Sequence, residues 1–393
     1  MDPARKNVAV LAACQALLFT NNSILITVNA LAGYALAPEK ALATLPVTMY
    51  LIGSALAAIP ISLLMKRIGR QAGFTVGAVC AILGSILAAW GVYAANFWLL
   101  CAGVLVLGVY FAAAQYYRFA AADSVPADFK SQAISLVLAG GIVGGFLGPE
   151  TAKLTNDMVA GHLYVGAYVS LIGFAMLSIV ILRWLDIPPL PESERKDAGR
   201  PISAIARQPA FIVAVLSGLV SYGVMNLLMT ATPLAMVDAH HPFSDAAFVI
   251  QWHMVGMFAP SLITGLMIQR LGLVPIMLAG VVLNLLCIAI ALAGLDVMHF
   301  WVALVLLGVG WNFLYVGATT LLTESHTPAE RAKVQGINDT AIFITMVVSS
   351  LSSGALFTLQ GWHTMNTWAV PFLLLAGSGL AWLAWARRQP RAA

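Results

Sequence analysis

The chain has 393 residues, of which 61% are hydrophobic and 9% charged, with a formal net charge of +4. Soluble globular chains run at roughly 45–50% apolar and about 25% charged, so a water-soluble fold is excluded and lipid must take the place of a core. At about 20 apolar residues per crossing, twelve crossings use ~240 residues and leave ~150 for loops and tails, too few for a large extramembrane enzyme domain.

Apolar runs bounded by charge, Pro or Gly fall at 8–34, 42–65, 72–94, 97–120, 132–152 and 163–184. They resume at 209–237, 246–269, 271–294, 298–322, 334–357 and 366–386. The pattern predicts an all-α polytopic membrane protein with twelve transmembrane helices. The first run begins behind a short polar stretch, Met1 to Asn7, and is too long for a cleaved signal peptide. Between the sixth and seventh runs lies the one long polar segment, with Pro188, Pro189, Pro191, Glu192, Glu194, Arg195, Lys196, Asp197 and Arg200. It divides the chain into a six-helix bundle over 1–185, a linker over 186–208 and a second six-helix bundle over 209–393. Cys14, Cys80, Cys101 and Cys287 all lie inside apolar runs without a CxxC pair, which suggests buried thiols and neither a disulfide framework nor a zinc site.

Lys and Arg set the orientation. Arg5, Lys6, Lys66, Arg67, Arg70, Lys130, the linker, Arg270, Arg331, Lys333, Arg387, Arg388 and Arg391 fall on one side; Lys40 and Lys153 fall on the other. Both termini are therefore expected in the cytoplasm. The charge sign follows from this placement and gives no reason to expect a nucleic-acid partner.

The two halves repeat. Residues 65–69 read M-K-R-I-G after the second span and 268–272 read I-Q-R-L-G after the eighth, so Arg67 and Gly69 recur as Arg270 and Gly272. Pro126, Ala127, Asp128, Lys130 and Gln132 are answered by Pro328, Ala329, Glu330, Lys333 and Gln335, and Gly108 by Gly308. Such spacing is expected of two pseudo-symmetric bundles related by an axis along the membrane normal. On these residues the chain resembles the major facilitator superfamily over nearly its whole length. That family's 2–3 loop reads G-x-L-x-D-R-x-G-R; Arg67, Gly69 and Arg70 match, but Lys66 stands where the Asp usually is. Gly144, Gly145, Gly148 and Pro149 resemble the span 5 Gly-Pro element of the family's antiporters; small residues there equally serve close helix packing.

The informative residues are those that interrupt apolar spans. Span 7 carries Met225 and Met229, and span 8 carries His253 and Met257; each pair is spaced i, i+4 and shares one helix face. Across the intervening turn, Met229 is expected level with His253 and Met225 with Met257, roughly 14–20 Å below the outer surface. Three thioethers and an imidazole are a soft, neutral set that suits Cu(I). The plainer alternative is methionine as core filler and a histidine bonded to a neighbouring helix.

M-x-x-x-M in span 7 with H-x-x-x-M in span 8 is similar to the CcoA-type copper importers, which supply copper for cytochrome c oxidase assembly in bacteria. The resemblance implies Met225, Met229, His253 and Met257 as the metal set, copper as the transported substrate, no permanently bound cofactor, and a cytoplasmic or periplasmic copper chaperone as partner. Close relatives of that group include the RfnT-type riboflavin transporters, so riboflavin or a similar metabolite is the alternative cargo. Gln15, Asn21, Asn22, Ser23 and Asn29 in span 1, Gln115, Tyr116 and Tyr117 in span 4, and Trp311, Asn312 and Tyr315 in span 10 would suit a planar heterocycle. The plainer reading of these is interhelical bonding and interfacial aromatics. Asn22, Gln115, Arg118, Glu150, Asn312 and Asp339 are candidates for substrate contact or coupling. Arg118 is expected to snorkel, Asp123 and Glu324 to sit at loop ends, and Glu150 and Asp339 to be partly buried and able to titrate. A proton-coupled exporter is a third possibility. The expected location is the bacterial inner membrane, multi-pass, in a lipid bilayer. No nucleotide-binding loop or zincin motif suggests an enzyme.

Overall fold

A computed structural model describes residues 3–39, 42–189 and 191–388, without the side chains of Arg195 and Phe243. Lys40, Arg391 and the Arg195 side chain, used above to orient the chain, lie outside the described residues. The described chain is all helix and turn. In order come α1 (Pro3–Leu36), α2 (Leu45–Ile68), α3 (Arg70–Tyr93), α4 (Phe97–Gln115), α5 (Tyr117–Asp123), α6 (Lys130–Ala139), α7 (Gly141–Thr155) and α8 (Val165–Leu182). Then follow α9 (Glu192–Lys196), α10 (Ile202–Ile205), α11 (Pro209–Asp238), α12 (Phe243–Phe258), α13 (Ser261–Leu271), α14 (Leu273–Ala293), α15 (Val297–Leu322) and α16 (Arg331–Arg388).

Eleven helical stretches among the described residues are long and apolar enough to cross a membrane. Three of them are interrupted mid-span: α4–α5 at Tyr116, whose N–H bonds Ala113 in a tight turn, α6–α7 at Gly140, and α12–α13 at Pro260, which has no N–H to continue the ladder. The eleventh, α16, has 58 residues, which at 1.5 Å each is roughly 87 Å, far more than the ~30 Å hydrocarbon layer. Gly361, at φ 75° and ψ 174°, splits it into two helices. Among the described residues the helices able to cross a membrane therefore number twelve, in the order the apolar runs predict.

The residues form two compact units. One comprises Met1–Val125, Val137–Gly199 and Pro328–Ile344; the other comprises Pro126–Leu136, Arg200–Thr327 and Thr345–Ala393. In the first, α4 is the central helix, flanked by α2 and α3, while α1 lies against α7 and α8. In the second, α15 holds the corresponding place, flanked by α14, α12 and α11.

The sequence repeat has a matching geometry in each unit. Gly69 and Gly272 end their helices at φ 91°, ψ 162° and φ 93°, ψ 157°, a region closed to residues with a Cβ. Gly108 lets α4 touch α2: the Ser54 hydroxyl donates to its carbonyl at 3.0 Å, and a Cβ there would stand 2.7 Å from Ser54 N. Gly308 does the same for α15 and α12, where a Cβ would stand 2.6 Å from His253 O and 2.7 Å from Met257 N. Gly144 and Gly148 bring α7 onto α1 in the same way, which is the packing role of the span 5 Gly-Pro element. Cys14, Cys101 and Cys287 are buried, Cys80 is half-buried, and all four are free thiols.

Gly308→Val should force α12 from α15 at about 1–3 kcal/mol, the usual range for overpacking. It should lower the melting temperature of detergent-solubilised protein. Gly173→Ala, where a Cβ meets nothing within 4 Å, should leave it unchanged or slightly raised, because Ala favours the helix over Gly.

Candidate functional site

In the first unit the buried polar groups gather around the junction of α4 and α5. The tight turn at Tyr116 points Arg118 inward rather than along the helix. Its guanidinium is 1% exposed and forms an ion pair with Asp339 of α16 at 2.6 Å. It also donates to the Gln115 side chain at 2.9 Å and to the Gln115 carbonyl, and Asn338 donates to the same Asp339 oxygen at 2.8 Å. Three of the candidates, Gln115, Arg118 and Asp339, are thus brought together across 221 positions. The expectation that Arg118 snorkels is corrected: a partner carboxylate inside the helices removes the need to reach the interface. Tyr116 and Tyr117 are fully buried rather than interfacial, and Tyr116 donates to Ala58 O at 2.7 Å.

A second ionic group lies one turn beyond. Arg70, only 5% exposed, pairs with Asp123 at 3.0 Å and donates to Gln335 at 2.8 Å; Arg331 pairs with the same Asp123 oxygen at 3.0 Å. Asp123 is therefore a shared counter-ion of two arginines rather than a plain loop end. Glu324, in the other unit, pairs with Arg387 at 2.5 Å.

Lys66, at the position where the resemblance expects an acid, donates to the main-chain carbonyls of Ala329 and Asp197 at 2.8 and 2.7 Å. Its repeat counterpart Gln269, in the second unit, donates to the carbonyl of Asp128. The two halves share one device: a long donor before the loop arginine ties down the main chain of the partner loop. An Asp cannot donate to a carbonyl, whereas a Lys can.

Asn22 is buried with no side-chain bond described, and Glu150 is exposed on α7, two residues past the Gly148 contact with α1. The partial burial expected of Glu150 is corrected: α7 turns its glycine face to α1 and so turns residue 150 away.

In the second unit, α12 packs chiefly on α15 and only slightly on α11. His253 is fully buried and its Nδ1 bonds the Leu304 carbonyl at 2.8 Å, while its Nε2 is buried with no hydrogen-bond partner among the described residues. Met225 and Met257 are buried and Met229 is half-buried. The Ser221 hydroxyl donates to Trp311 O at 3.2 Å, which fixes the register of α11 on α15 and sets Met225 level with Leu307. Gly308 faces His253 O and Met257 N. The backbone at Met225, His253 and Met257 therefore lies against the same stretch of α15. Asn312 is consumed in packing: it donates to Met257 O and Ser261 Oγ at 2.6 and 2.5 Å and accepts from Thr264 at 2.7 Å. Beside it, Trp311 and Tyr315 stack at 4.9 Å, with Tyr222 edge-on to both. Among the described residues no three or more His, Cys, Asp or Glu side chains gather to hold a metal ion.

The family model of the Major Facilitator Superfamily matches residues 11–252 and 214–393. The chain belongs to the Major Facilitator Superfamily. It is a multi-pass membrane transporter and not an enzyme. The transporter is 40% identical over 374 residues to the riboflavin transporter RfnT of Brucella anthropi, a match that covers 95% of this chain and 94% of that protein. It is 29% identical over 359 residues to the uncharacterized MFS-type transporter YddS of Bacillus subtilis, covering 87% and 81%. Among solved structures, the human organic anion transporter MFSD10 superposes with a TM-score of 0.81 at 14% identity, covering 97% and 100%. The transporter FucP in the outward conformation gives 0.78 at 16%, covering 98% and 99%. At those identities the structural likeness concerns the fold alone.

Breaking the Arg118–Asp339 pair strands a buried charge. Asp339→Leu or Arg118→Met alone should destabilise the solubilised transporter by about 3–5 kcal/mol, and the double replacement should recover most of that loss. Thermal unfolding of the four proteins in a double-mutant cycle measures it.

Proposed function

We propose that this transporter imports riboflavin, or a planar heterocycle closely like it, across the bacterial inner membrane. The observation that carries the reading is the 40% identity to a riboflavin transporter along nearly the full length of both chains. Each unit carries side-chain chemistry of the kind a flavin uses: buried amides on α1 in the first, and the aromatic group of Tyr222, Trp311 and Tyr315 in the second. Gln115, Arg118, Asp339 and Asn22 of the first unit, and Asn312 of the second, are assigned to framework or coupling. Movement is by alternating access between the bundles 1–185 and 209–393, joined by the linker 186–208, with both termini in the cytoplasm as the Lys and Arg distribution requires.

A second reading is import of copper, held at Met225, Met229, His253 and Met257. Its support is the buried, unpartnered Nε2 of His253, with Met225 and Met257 also buried in the same unit. It ranks second because the other imidazole nitrogen serves as a helix tie to Leu304, and because neither the family match nor the relatives bring copper with them. A diffusible metabolite also needs no chaperone to receive it.

Right-side-out vesicles carrying the transporter should accumulate labelled riboflavin saturably, and Met229→Ala and His253→Ala should retain most of that uptake. Accumulation of radioactive copper that disappears in those two variants, without flavin uptake, would establish the second reading. Flavin expelled under an imposed proton gradient, without net uptake, would make the transporter an exporter.

A further inference from the structure

The buried amides of the spanning helices are, with one exception, matched at one atom or more or still reachable from outside. Asn29 accepts the Tyr168 hydroxyl at 2.6 Å, and Gln115 accepts from Arg118. Asn226 donates to Met346 O and Ser349 Oγ at 2.9 and 3.0 Å, and Asn284 donates to Gly280 O at 2.9 Å. Asn21 is the exception. It is 2% exposed, and neither its Oδ1 nor its Nδ2 reaches a hydrogen-bond partner among the described residues. No other side-chain amide among the described residues has both atoms sealed and unmatched. It lies near the middle of the 34-residue α1, beside Thr20, whose own hydroxyl is used up on Ala16 O at 2.8 Å.

An unmatched amide in an apolar interior is strongly unfavourable, and more so at membrane depth, where water does not compete. A position that served packing alone would be better filled by Leu or Ala. What distinguishes an amide from those is a donor and an acceptor side by side on one plane. Such a pair is complementary to a group that offers an N–H next to a C=O, as a cyclic imide or lactam does. The pyrimidine end of the flavin ring is of this kind, with its N3–H lying between two carbonyls.

We propose that Asn21 determines substrate specificity by pairing at two points with the imide edge of the transported heterocycle. The assignment rests on the flavin reading given above and deepens it. Oδ1 accepts the ring N–H and Nδ2 donates to the adjacent carbonyl. Both atoms are sealed in the state described, so the pairing forms only after the helices part, as alternating access requires. An amide left unmatched in the empty state also favours binding of a substrate that matches it over one that does not, because the mismatch persists with the wrong substrate.

The test is competition in transport vesicles with wild type and Asn21→Ala, using labelled riboflavin against unlabelled riboflavin and N3-methylriboflavin. Wild type should prefer riboflavin by about tenfold to a hundredfold, the usual effect of stranding one buried polar group. Asn21→Ala should bind riboflavin about tenfold more weakly and treat the two flavins alike. A parallel arm needs no substrate: Asn21→Leu should melt at or above the wild-type temperature, since it removes an unmatched amide. A lowered melting temperature would mean that the amide has a structural partner and would overturn the assignment. Discrimination that persists undiminished in Asn21→Ala would overturn it alone, with flavin transport intact. Wild-type vesicles that take up no flavin would overturn the flavin reading and this assignment together.

Discussion

A polar group inside a membrane-spanning helix has no water to fall back on, and most of what is particular about this transporter follows from where each such group finds a partner. The backbone solves its share by helix formation, and within the described spans the breaks fall at Tyr116, Gly140, Pro260 and Gly361. The side chains solve theirs by tying helices together. Arg118 and Asp339 neutralise one another, Asn312 binds a carbonyl and two hydroxyls, and His253 uses one nitrogen on α15. Against that background the groups without partners stand out as the informative ones.

The internal repeat is preserved where geometry demands it and altered where chemistry differs. Gly69 and Gly272 keep the same positive-φ, extended conformation, and Gly108 and Gly308 keep the same close helix contact, because no residue with a Cβ meets either requirement. Lys66 and Gln269 share neither charge nor length, yet each ties a main-chain carbonyl of the loop that answers it. The departure at residue 66 from the family's usual acid therefore changes an ion-pairing position into a carbonyl clamp. The neighbouring positive charge is met elsewhere, by Asp123 shared between Arg70 and Arg331.

The methionine and histidine residues show how one pattern serves two readings. Their spacing places each pair on a single helix face, and the register of α11 and α12 on α15 sets the backbone of three of the four against one stretch of α15. Spacing carries no information about which neighbour a face meets. Here α12 turns toward α15, because Gly308 permits close contact there and Asn312 and the Leu304 carbonyl supply bonds. A hairpin partner in sequence is thus a minor partner in space.

By itself the sequence determined the class, the number and order of crossings, the repeat and the family, because these rest on apolar run length, on glycines and on loop charges, all local properties of the chain. It also marked Asp339, Gln115 and Arg118 as costly residues in apolar surroundings. Only the tertiary structure decided that these three belong to one network, that Asp123 serves two arginines, and that Glu150 faces away from α1. Above all, it separated Asn21 from Asn22. The two amides are adjacent and alike in the sequence, but they differ by about 100° around the helix, and which of them has both amide atoms sealed from outside depends on the packing of helices far apart in the chain.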